Sequence, residues 1–276
     1  MEIPFYKFDG AGNDFVVLDN REGRYHLTRE QIARICHRRF GVGADGLMTL
    51  ESADNSLQSA VNDGGSSQPA YDFEMKYYNS DGGLGSMCGN GGRCIALFAY
   101  MLGLGDHLHF LAYDGPHDAV VRLWDPVERR AMVDLSMHDV EKRNIRNIEG
   151  GFFIDTGSPH FVLQVDDLDA VDVVTEGRRW RNRTDLFPEG TNVDFVHIDN
   201  GGEISIRTYE RGVEDETLAC GTGVTACALL TNYGVVHSRV ASFVVDCHET
   251  DEAFTEITLT GPASLNFTGT WTFSAQ

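Results

Sequence analysis

Two short stretches of the chain share one pattern: a cysteine is followed by Gly-x-Gly and then by an apolar segment compatible with a helix. They contain Cys88 and Cys220. A cysteine at the entrance to a helix lies near the positive end of the helix dipole and near backbone N–H groups that lack a partner within the helix. This setting favours thiolate over thiol, so it predicts for both cysteines a pKa below the ordinary value of about 8.5.

The glycines after each cysteine let the backbone approach a bound anion closely, so a substrate carboxylate can dock on the same N–H groups. Two such elements in one chain predict two thiols that face one substrate. One thiolate and one thiol on opposite sides of a carbon can remove a proton from one face and return one to the other, which inverts the stereocentre. The sequence has no pattern typical of a pyridoxal lysine, a P-loop or a dinucleotide-binding fold, so we expect chemistry without a cofactor.

The order of elements in the first half of the chain recurs in the second half. The glycine turn at Asn13 is matched by the turn before His160, residues 43–47 by residues 189–198, and Cys88 by Cys220. Recurrence in the same order indicates an internal duplication. We therefore expect an α+β fold of two similar domains related by a pseudo-twofold axis, with the active site in the cleft between them, where small-molecule sites are common.

Local patterns predict several individual elements. Thr28 and Gln31 form a capping-box signature for a helix that ends near Arg39. Strands are expected at residues 107–113, 118–124 and 130–135, and a helix within residues 167–183. Residues 51–70 are rich in Asp, Asn, Gly and Ser, which favours a solvated surface insertion. A functional lid is the alternative for this segment.

Charge and composition exclude some classes of partner. The 276 residues suffice for one large domain or two medium ones. Acidic residues outnumber basic residues 42 to 22, for a formal charge of −20, which argues against nucleic acid or an anionic membrane as a partner. The first residues lack the pattern of a signal peptide, and no apolar run approaches the roughly 20 residues that span a bilayer. We expect a cytoplasmic protein.

The six cysteines allow three interpretations. An even count is compatible with disulfides, but a cytosolic chain of this size normally keeps its thiols reduced. The spacings from Cys88 to Cys94 and from Cys220 to Cys227 are wider than those of structural zinc sites, so no metal is expected. Cys94 and Cys227 fall one to two helical turns beyond their partners, where a small buried side chain is the simpler role.

Further polar residues have two readings each. His160 follows a Gly-Ser-Pro turn and either tunes a thiol or is a surface turn histidine. Glu210 and Arg211 precede a glycine near Cys220; arginine can grip a carboxylate, but a plain surface ion pair is the competing interpretation. Asparagines in glycine-rich turns usually serve turn geometry, yet several converging on one cleft would suit a substrate with amino and carboxylate groups. They are Asn13, Asn79, Asn90 and Asn192.

At these residues the sequence resembles the diaminopimelate epimerase family. Any one of the glycine clusters is a weak signal, but together they occur in the family's order and span almost the whole chain. The motifs are Gly12-Asn13-Asp14-Phe15, Asn79-Ser80-Asp81-Gly82, Met87-Cys88-Gly89-Asn90-Gly91-Gly92-Arg93-Cys94, Glu189-Gly190-Thr191-Asn192-Val193, Glu210-Arg211-Gly212 and Ala219-Cys220-Gly221-Thr222-Gly223.

The resemblance implies an isomerase that needs no cofactor and no metal. It would interconvert LL- and meso-diaminopimelate in lysine and peptidoglycan precursor biosynthesis, with Cys88 and Cys220 as the acid/base pair. His160 and Glu210 would adjust the charge of the thiols. The implied contacts to this small amino-acid substrate are Asn13, Asn79, Gly89, Asn90, Asn192, Glu210, Arg211, Gly221 and Thr222.

The resemblance also implies the domain organisation. Each half would be a curled mixed sheet around a central helix. The N-terminal epimerase half would cover residues 1–128, with residues 261–276 returning to it, and the C-terminal half residues 129–260. Members of the family are typically homodimers, so a homodimer is expected.

Three departures from the family pattern bear on substrate binding. Gly46 stands where many members have glutamine, and Ser158 stands where many have asparagine. One extra residue falls within residues 213–217. The first two remove side-chain amides from the implied substrate contacts. The alternatives are a related two-cysteine racemase for proline, hydroxyproline or another amino acid, and a non-catalytic member of the fold that binds a zwitterion. Retention of both cysteines argues against the latter, since binding needs neither thiol.

Overall fold

The computed structural model describes residues 2–53, 71–85, 87–199 and 201–273. The chain divides into two compact units. The first comprises Met1–Leu135 with Ala263–Gln276, and the second Ser136–Pro262. The epimerase halves proposed from the sequence, 1–128 with 261–276 and 129–260, stay a prediction. Most of the polar segment 51–70, from residue 54 onward, lies outside the described residues, so the choice between insertion and lid stays open.

In both halves the elements include the series strand, strand, helix, strand, strand, helix; the second half has short elements before this series and one short extra strand before its last helix. In the first half they are β1 (Glu2–Gly10), β2 (Asn13–Asn20), α1 (Arg29–Cys36), β3 (Gly46–Ser52), β4 (Phe73–Asn79), α2 (Gly89–Met101), β5 (His107–Ala112), β6 (Gly115–Asp125) and β7 (Arg130–Ser136). The rest are β8 (Val140–Glu141), a short 3-10 helix (Lys142–Asn144), β9 (Arg146–Ile148), β10 (Gly151–Asp155), β11 (Pro159–Gln164), α3 (Val173–Arg181), β12 (Asn192–Ile198), β13 (Ile204–Glu210), β14 (Asp215–Thr217), α4 (Gly221–Thr231), β15 (Val235–His237), β16 (Ser242–Glu249) and β17 (Ala253–Thr272).

The first unit is a mixed sheet curled around α2. From β1 to β7 the neighbouring strands pair antiparallel, parallel, antiparallel, parallel, antiparallel and antiparallel. The end of β17 pairs with β1, and β17 also pairs with β7. Helix α2 packs on β1, β2, β3 and β6, and its residues from Asn90 to Ala99 are buried. Apart from Asn90 and Arg93, the buried residues of α2 are glycines or apolar side chains, so the helix can be covered from several sides.

The second unit repeats this pairing. Strands β10 to β13 pair antiparallel, parallel and antiparallel, and β13, β15, β16 and β17 continue parallel, antiparallel and antiparallel. Helix α4 takes the place of α2 and packs on β10, β11, β12, β13, β15 and β16. The prediction of two α+β halves of the same build is therefore confirmed, including the mixed sheet around a central helix.

Most local predictions are also confirmed, although the first helix ends at Cys36 and not near Arg39, because His37 has extended backbone angles. The Thr28 hydroxyl accepts from the backbone N–H of Gln31, whose side chain accepts from the backbone N–H of Thr28. The predicted strands correspond to β5, β6 and β7, and the predicted helix within residues 167–183 to α3. Within the described part of the chain, no helix combines the length and the apolar character needed to cross a membrane.

Candidate active site

Cys88 and Cys220 occupy the same position in their respective units, the N-cap of the central helix. Both have extended backbone angles, φ −118° and ψ 123° for Cys88 and φ −117° and ψ 113° for Cys220. Gly89 and Gly221 are the first helical residues after them. The N–H groups of a first helical turn have no partner within the helix, so each cysteine lies beside donors that suit a carboxylate.

In the first unit, Cys88 lies beside Asn13. Its partly exposed thiol Sγ is 3.5 Å from Oδ1 of Asn13, and the amide of Asn90 donates to the same oxygen at 3.4 Å. The Asn13 amide in turn donates to Oδ2 of Asp45 at 2.7 Å. Asp45 therefore fixes which way the Asn13 amide points, with its oxygen toward Cys88.

Arg93 holds Asn90 from inside helix α2. The Arg93 side chain is fully buried and donates to Oδ1 of Asn90 at 2.7 Å and to the carbonyl of Gly89 at 3.3 Å. Burial lowers the pKa of this guanidinium from its ordinary value. Gly89 and Asn90 are thus tied to one buried cation directly after Cys88.

Gly46, which stands where the family resemblance implied a glutamine, lies in a place without room for a side chain. Gly46 pairs with Asn79 on the neighbouring strand. A Cβ on Gly46 would lie 2.4 Å from Cε2 of Tyr77 and 2.7 Å from the carbonyl oxygen of Tyr78. The Tyr77 ring therefore occupies the space that the Cβ of a side chain at position 46 would need. Asn79 itself is exposed, with its backbone N–H bonded to the carbonyl of Gly83.

Cys220 has a different environment from Cys88. It is only 7% exposed, and its Sγ lies 3.4 Å from Oγ1 of Thr222. Burial raises the pKa of the Cys220 thiol well above its ordinary value, and the charges of Glu210 and Asp194 raise it further. The backbone N–H of Gly223 acts in the opposite direction but does not outweigh burial and the two charges. The predicted lowering of the pKa is therefore wrong for Cys220, because desolvation and nearby carboxylates exceed the effect of the helix N-terminus.

His160 is buried, not on a surface turn, and contacts the residue beside Cys220. Its Nε2 lies 2.8 Å from Oγ1 of Thr222, and its Nδ1 lies 2.6 Å from Oδ2 of Asp194. Both His160 and Asp194 are 0% exposed. The interpretation of His160 as a surface histidine is excluded.

The side chain of Asn192 holds the turn before His160. Its amide donates to Oγ of Ser158 at 2.9 Å and to the carbonyl of Pro159 at 3.0 Å, while its Oδ1 accepts from the backbone N–H of Arg211 at 2.8 Å. The hydroxyl at position 158 thus accepts from Asn192. Arg211 donates to the carbonyl of Glu189.

The extra residue between Arg211 and Cys220 belongs to a tight hairpin. Strand β14 pairs with the end of β13, and Gly212 and Glu214 in the connecting turn both have positive φ, 94° and 60°. The Glu214 carboxylate accepts from the backbone N–H of Gly212. The turn is therefore ordered by its own hydrogen bonds.

The remaining cysteines behave as packing residues or lie on the surface. Cys94 and Cys227 are 0% exposed, which confirms their predicted role as small buried side chains, and burial raises their pKa values. Burial also raises the pKa of Cys36 to about 12. Cys247 is exposed.

Most of the predicted residues thus lie around one cysteine in each unit. In the first unit Asn13, Gly89 and Asn90 surround Cys88, while Asn79 ends β4. In the second unit Thr222 contacts Cys220 and His160 contacts Thr222, while the charge of Glu210 raises the pKa of Cys220. Asn192 contacts His160 and the backbone of Arg211, and Gly221 begins α4. Sequence reasoning missed Asp45, Tyr77, Arg93 and Asp194. For Asp194 a signal existed: it is a carboxylate inside the otherwise apolar run Val193-Asp194-Phe195-Val196.

Solved structures share this fold. A phenazine biosynthesis protein of the PhzF family from Bacillus anthracis superposes with a TM-score of 0.70 at 13% identity, covering 99% of this chain and 100% of that one. A hydroxyproline epimerase from Agrobacterium vitis gives a TM-score of 0.64 at 13% identity, covering 98% and 92%. At such low identity these similarities concern the fold alone.

Sequence comparison is more specific. The family model for diaminopimelate epimerase matches residues 5–115 and 152–261, one match in each half. The chain is 43% identical over 272 residues to the diaminopimelate epimerase of Chlorobaculum tepidum, covering 95% of this chain and 99% of that protein. It is 37% identical to that of Aquifex aeolicus, covering 97% of each. The chain therefore belongs to the diaminopimelate epimerase family of isomerases.

Proposed function

We propose that this protein interconverts LL- and meso-diaminopimelate without a cofactor, using Cys88 and Cys220 as its two acid/base groups. The observation that carries the proposal is the matched position of the two cysteines, each the N-cap of a buried helix with Gly-x-Gly after it. Family membership supplies the substrate class, since the relatives are diaminopimelate epimerases over nearly their whole length.

The reaction needs one base and one acid at a time. A thiolate removes the proton from the α-carbon, and the thiol on the opposite face delivers its proton to the resulting carbanion. The S–H and C–H bonds exchange, so the product has the inverted configuration and the two cysteines have exchanged protonation states. A raised pKa suits Cys220 to the role of proton donor in the resting protein.

The substrate carboxylate would bind at the helix N-termini that follow the cysteines. The N–H groups of Gly89, Asn90, Gly221 and Thr222 are those of first helical turns. Donors aimed at a carboxylate lower the barrier to an α-carbanion because they stabilise the negative charge that develops on its oxygens. Asn13, Asn79, Asn192, Glu210 and Arg211 complete the proposed binding set.

We further propose that His160 and Glu210 set the charge of Cys220. His160 acts through Thr222, which it contacts at 2.8 Å. Glu210 acts directly, because its charge raises the pKa of Cys220. The metabolic setting we propose is the supply of precursors for lysine and peptidoglycan, in the cytoplasm and as a homodimer.

The test follows solvent deuterium during turnover of LL-diaminopimelate in D₂O. A two-base enzyme places deuterium in the newly formed meso isomer, while the remaining LL substrate is initially unlabelled. Cys88→Ala and Cys220→Ala should each abolish epimerisation with the fold retained, as judged by circular dichroism. Substantial turnover by either variant would remove that thiol from the mechanism.

A substrate panel in the same assay separates the alternatives. Inversion of proline or hydroxyproline but not of diaminopimelate would identify a different racemase of this fold. Binding of diaminopimelate without any change in chirality would identify a non-catalytic binding protein.

A further inference from the structure

A continuous chain of hydrogen-bonded side chains runs from Cys220 into the interior of the second unit. Sγ of Cys220 lies 3.4 Å from Oγ1 of Thr222, which lies 2.8 Å from Nε2 of His160. Nδ1 of His160 lies 2.6 Å from Oδ2 of Asp194. The other carboxylate oxygen, Oδ1, accepts from the hydroxyl of Thr208 at 2.7 Å. Asp194 is therefore hydrogen-bonded to the ring nitrogen of His160 that does not contact Thr222.

Burial makes this carboxylate costly unless it is fully bonded. Asp194 and His160 are 0% exposed and Thr208 is 2% exposed. A polar group withdrawn from water is destabilising unless hydrogen bonds replace its hydration. Here both oxygens of Asp194 have a partner, so the arrangement is complete and each hydrogen bond constrains the next.

The first unit shows that the fold itself does not require this network. Gly91 and Gly223 are both the third helical residue after the cysteine N-cap. A Cβ on Gly91 would meet Met48, Met75 and Phe15, whereas a Cβ on Gly223 would meet Asp194 and His160. The same place beneath the helix is thus apolar in one unit and polar in the other. The polar version belongs to the unit with the buried cysteine.

The donors and acceptors fix the direction of each hydrogen bond in the series from Asp194 to Cys220. An ionised carboxylate only accepts, so Nδ1 of His160 carries the hydrogen that points to Asp194. Nε2 of a neutral imidazole is then an acceptor. The hydroxyl of Thr222 is placed to donate to it, at 2.8 Å. With its hydrogen donated to His160, the Thr222 oxygen has only lone pairs to offer, and these accept the S–H of Cys220.

We propose that Asp194 is a positioning residue that fixes His160 with its proton on Nδ1, and that it thereby keeps the Cys220 thiol pointing its hydrogen at Thr222. The catalytic importance of this arrangement rests on the proposed function of Cys220. The tautomer of His160 does not depend on the proposed function, because it follows from contacts within the second unit.

The test measures the imidazole ¹⁵N chemical shifts of His160 in protein labelled with ¹⁵N-histidine, above the ordinary pKa of histidine and without substrate. The signal is assigned by its loss in His160→Gln. We expect the shifts of the Nδ1–H tautomer in the unsubstituted protein. A proton on Nε2, or on both nitrogens, would overturn the proposal.

Substitution of Asp194 should invert the tautomer. In Asp194→Asn the amide oxygen can retain the hydrogen bond from Thr208, which turns the amide N–H₂ toward Nδ1 of His160. Nδ1 must then accept, and the proton moves to Nε2. Asp166→Asn, at an exposed site in the same unit, is the matched control and should leave the shifts unchanged. An unaltered tautomer in folded Asp194→Asn would contradict the proposal.

Thr222→Val covers the case in which Asp194→Asn does not fold. The proposal assigns the tautomer to Asp194, so loss of the Thr222 hydroxyl should leave the proton on Nδ1. A shift of the proton to Nε2 in Thr222→Val would show that Thr222 sets the tautomer instead.

Kinetics then tests whether the arrangement matters for turnover. Asp194→Asn should lower kcat about 10- to 100-fold, the range for residues that orient a functional side chain through a hydrogen bond. Because Asp194 is not among the proposed substrate-binding residues, KM should be unchanged. An unchanged kcat with an inverted tautomer would overturn the link to Cys220. If the unsubstituted protein does not epimerise diaminopimelate, the proposed function fails while the tautomer result stands by itself.

Discussion

Gly223 leaves no room for a side chain above Asp194: a Cβ on Gly223 would lie 2.5 Å from Oδ1 of Asp194 and 3.2 Å from Cε1 of His160. Contacts below 3 Å require one group to move. The carboxylate cannot move freely, because its two oxygens are bonded to His160 and Thr208. The second glycine of the second Cys-Gly-x-Gly motif is therefore explained by packing against a buried network as well as by access of an anion to the helix.

The first prediction compares the same substitution in the two halves. Gly223→Ala should destabilise the protein by about 1–3 kcal/mol, the usual cost of overpacking. Gly91→Ala should cost less, because its closest contact is Sδ of Met48 at 3.0 Å, which lies on a flexible side chain. The gain in helix propensity, about 1 kcal/mol, applies to both and cancels in the comparison. Urea denaturation measures the difference in unfolding free energy. Equal losses would show that Asp194 and His160 move to make room for the Cβ at little cost.

The second prediction concerns the reactivity of the two thiols toward iodoacetamide. Cys88 is partly exposed, whereas Cys220 is 7% exposed with a pKa raised by burial, Glu210 and Asp194. Only the thiolate reacts, so Cys88 should be alkylated before Cys220 at neutral pH. Because the raised pKa keeps Cys220 protonated, its rate should increase as the pH rises through the alkaline range.

Peptide mapping by mass spectrometry separates the sites. The experiment is best performed in Cys247→Ser, since Cys247 is the exposed thiol of this chain whose reaction would otherwise consume reagent. Preferential labelling of Cys220 near neutral pH would contradict the environment described for it. So would a Cys220 rate that does not change with pH.

The third prediction concerns Gly46 and the ring of Tyr77. Gly46→Ala should destabilise the protein by about 1–3 kcal/mol, because its Cβ would lie 2.4 Å from Tyr77 and 2.7 Å from the Tyr78 carbonyl. Tyr77→Ala in the same chain should recover only part of this cost, since the backbone carbonyl remains. Gly89→Ala is the control with open space, having no atom within 4 Å of its Cβ.

Thermal or urea unfolding of the single and double variants gives the coupling between the two positions. Full recovery in the double variant would show that Tyr77 alone excludes a side chain at position 46. No coupling would show that the ring moves aside without cost. Either result tells whether a glutamine can be restored there by substituting Tyr77.

The sequence revealed those parts of this molecule that depend on local or repeated patterns. The capping box at Thr28 follows from residues three apart, and the duplication follows from the recurrence of motifs around Cys88 and Cys220. The position of each cysteine at a helix N-terminus follows from the glycines after it. These features need no knowledge of which residues distant in sequence come into contact.

What escaped prediction depends on such distant contacts. Cys220 resembles Cys88 in sequence, but its pKa is set by burial and by Glu210 on β13 and Asp194 on β12. Asp194 reaches His160, 34 residues away along the chain, because β11 and β12 run side by side in parallel. Tyr77 covers Gly46 because β3 and β4 pair antiparallel. The family resemblance named His160 but not the carboxylate that orients it.

The last prediction concerns the stability that the buried carboxylate provides. Asp194→Ala removes the acceptor of two donors, Nδ1–H of His160 and the hydroxyl of Thr208. Each buried donor left unsatisfied costs about 1–3 kcal/mol, so the variant should lose at least about 2 kcal/mol of unfolding free energy. Asp166→Ala, at an exposed site in the same unit, should change it by less than about 0.5 kcal/mol. Urea denaturation with a shared m-value compares the two. A cost for Asp194→Ala no greater than that of the control would mean that His160 and Thr208 find other acceptors, and the carboxylate would then not be what holds the histidine in place.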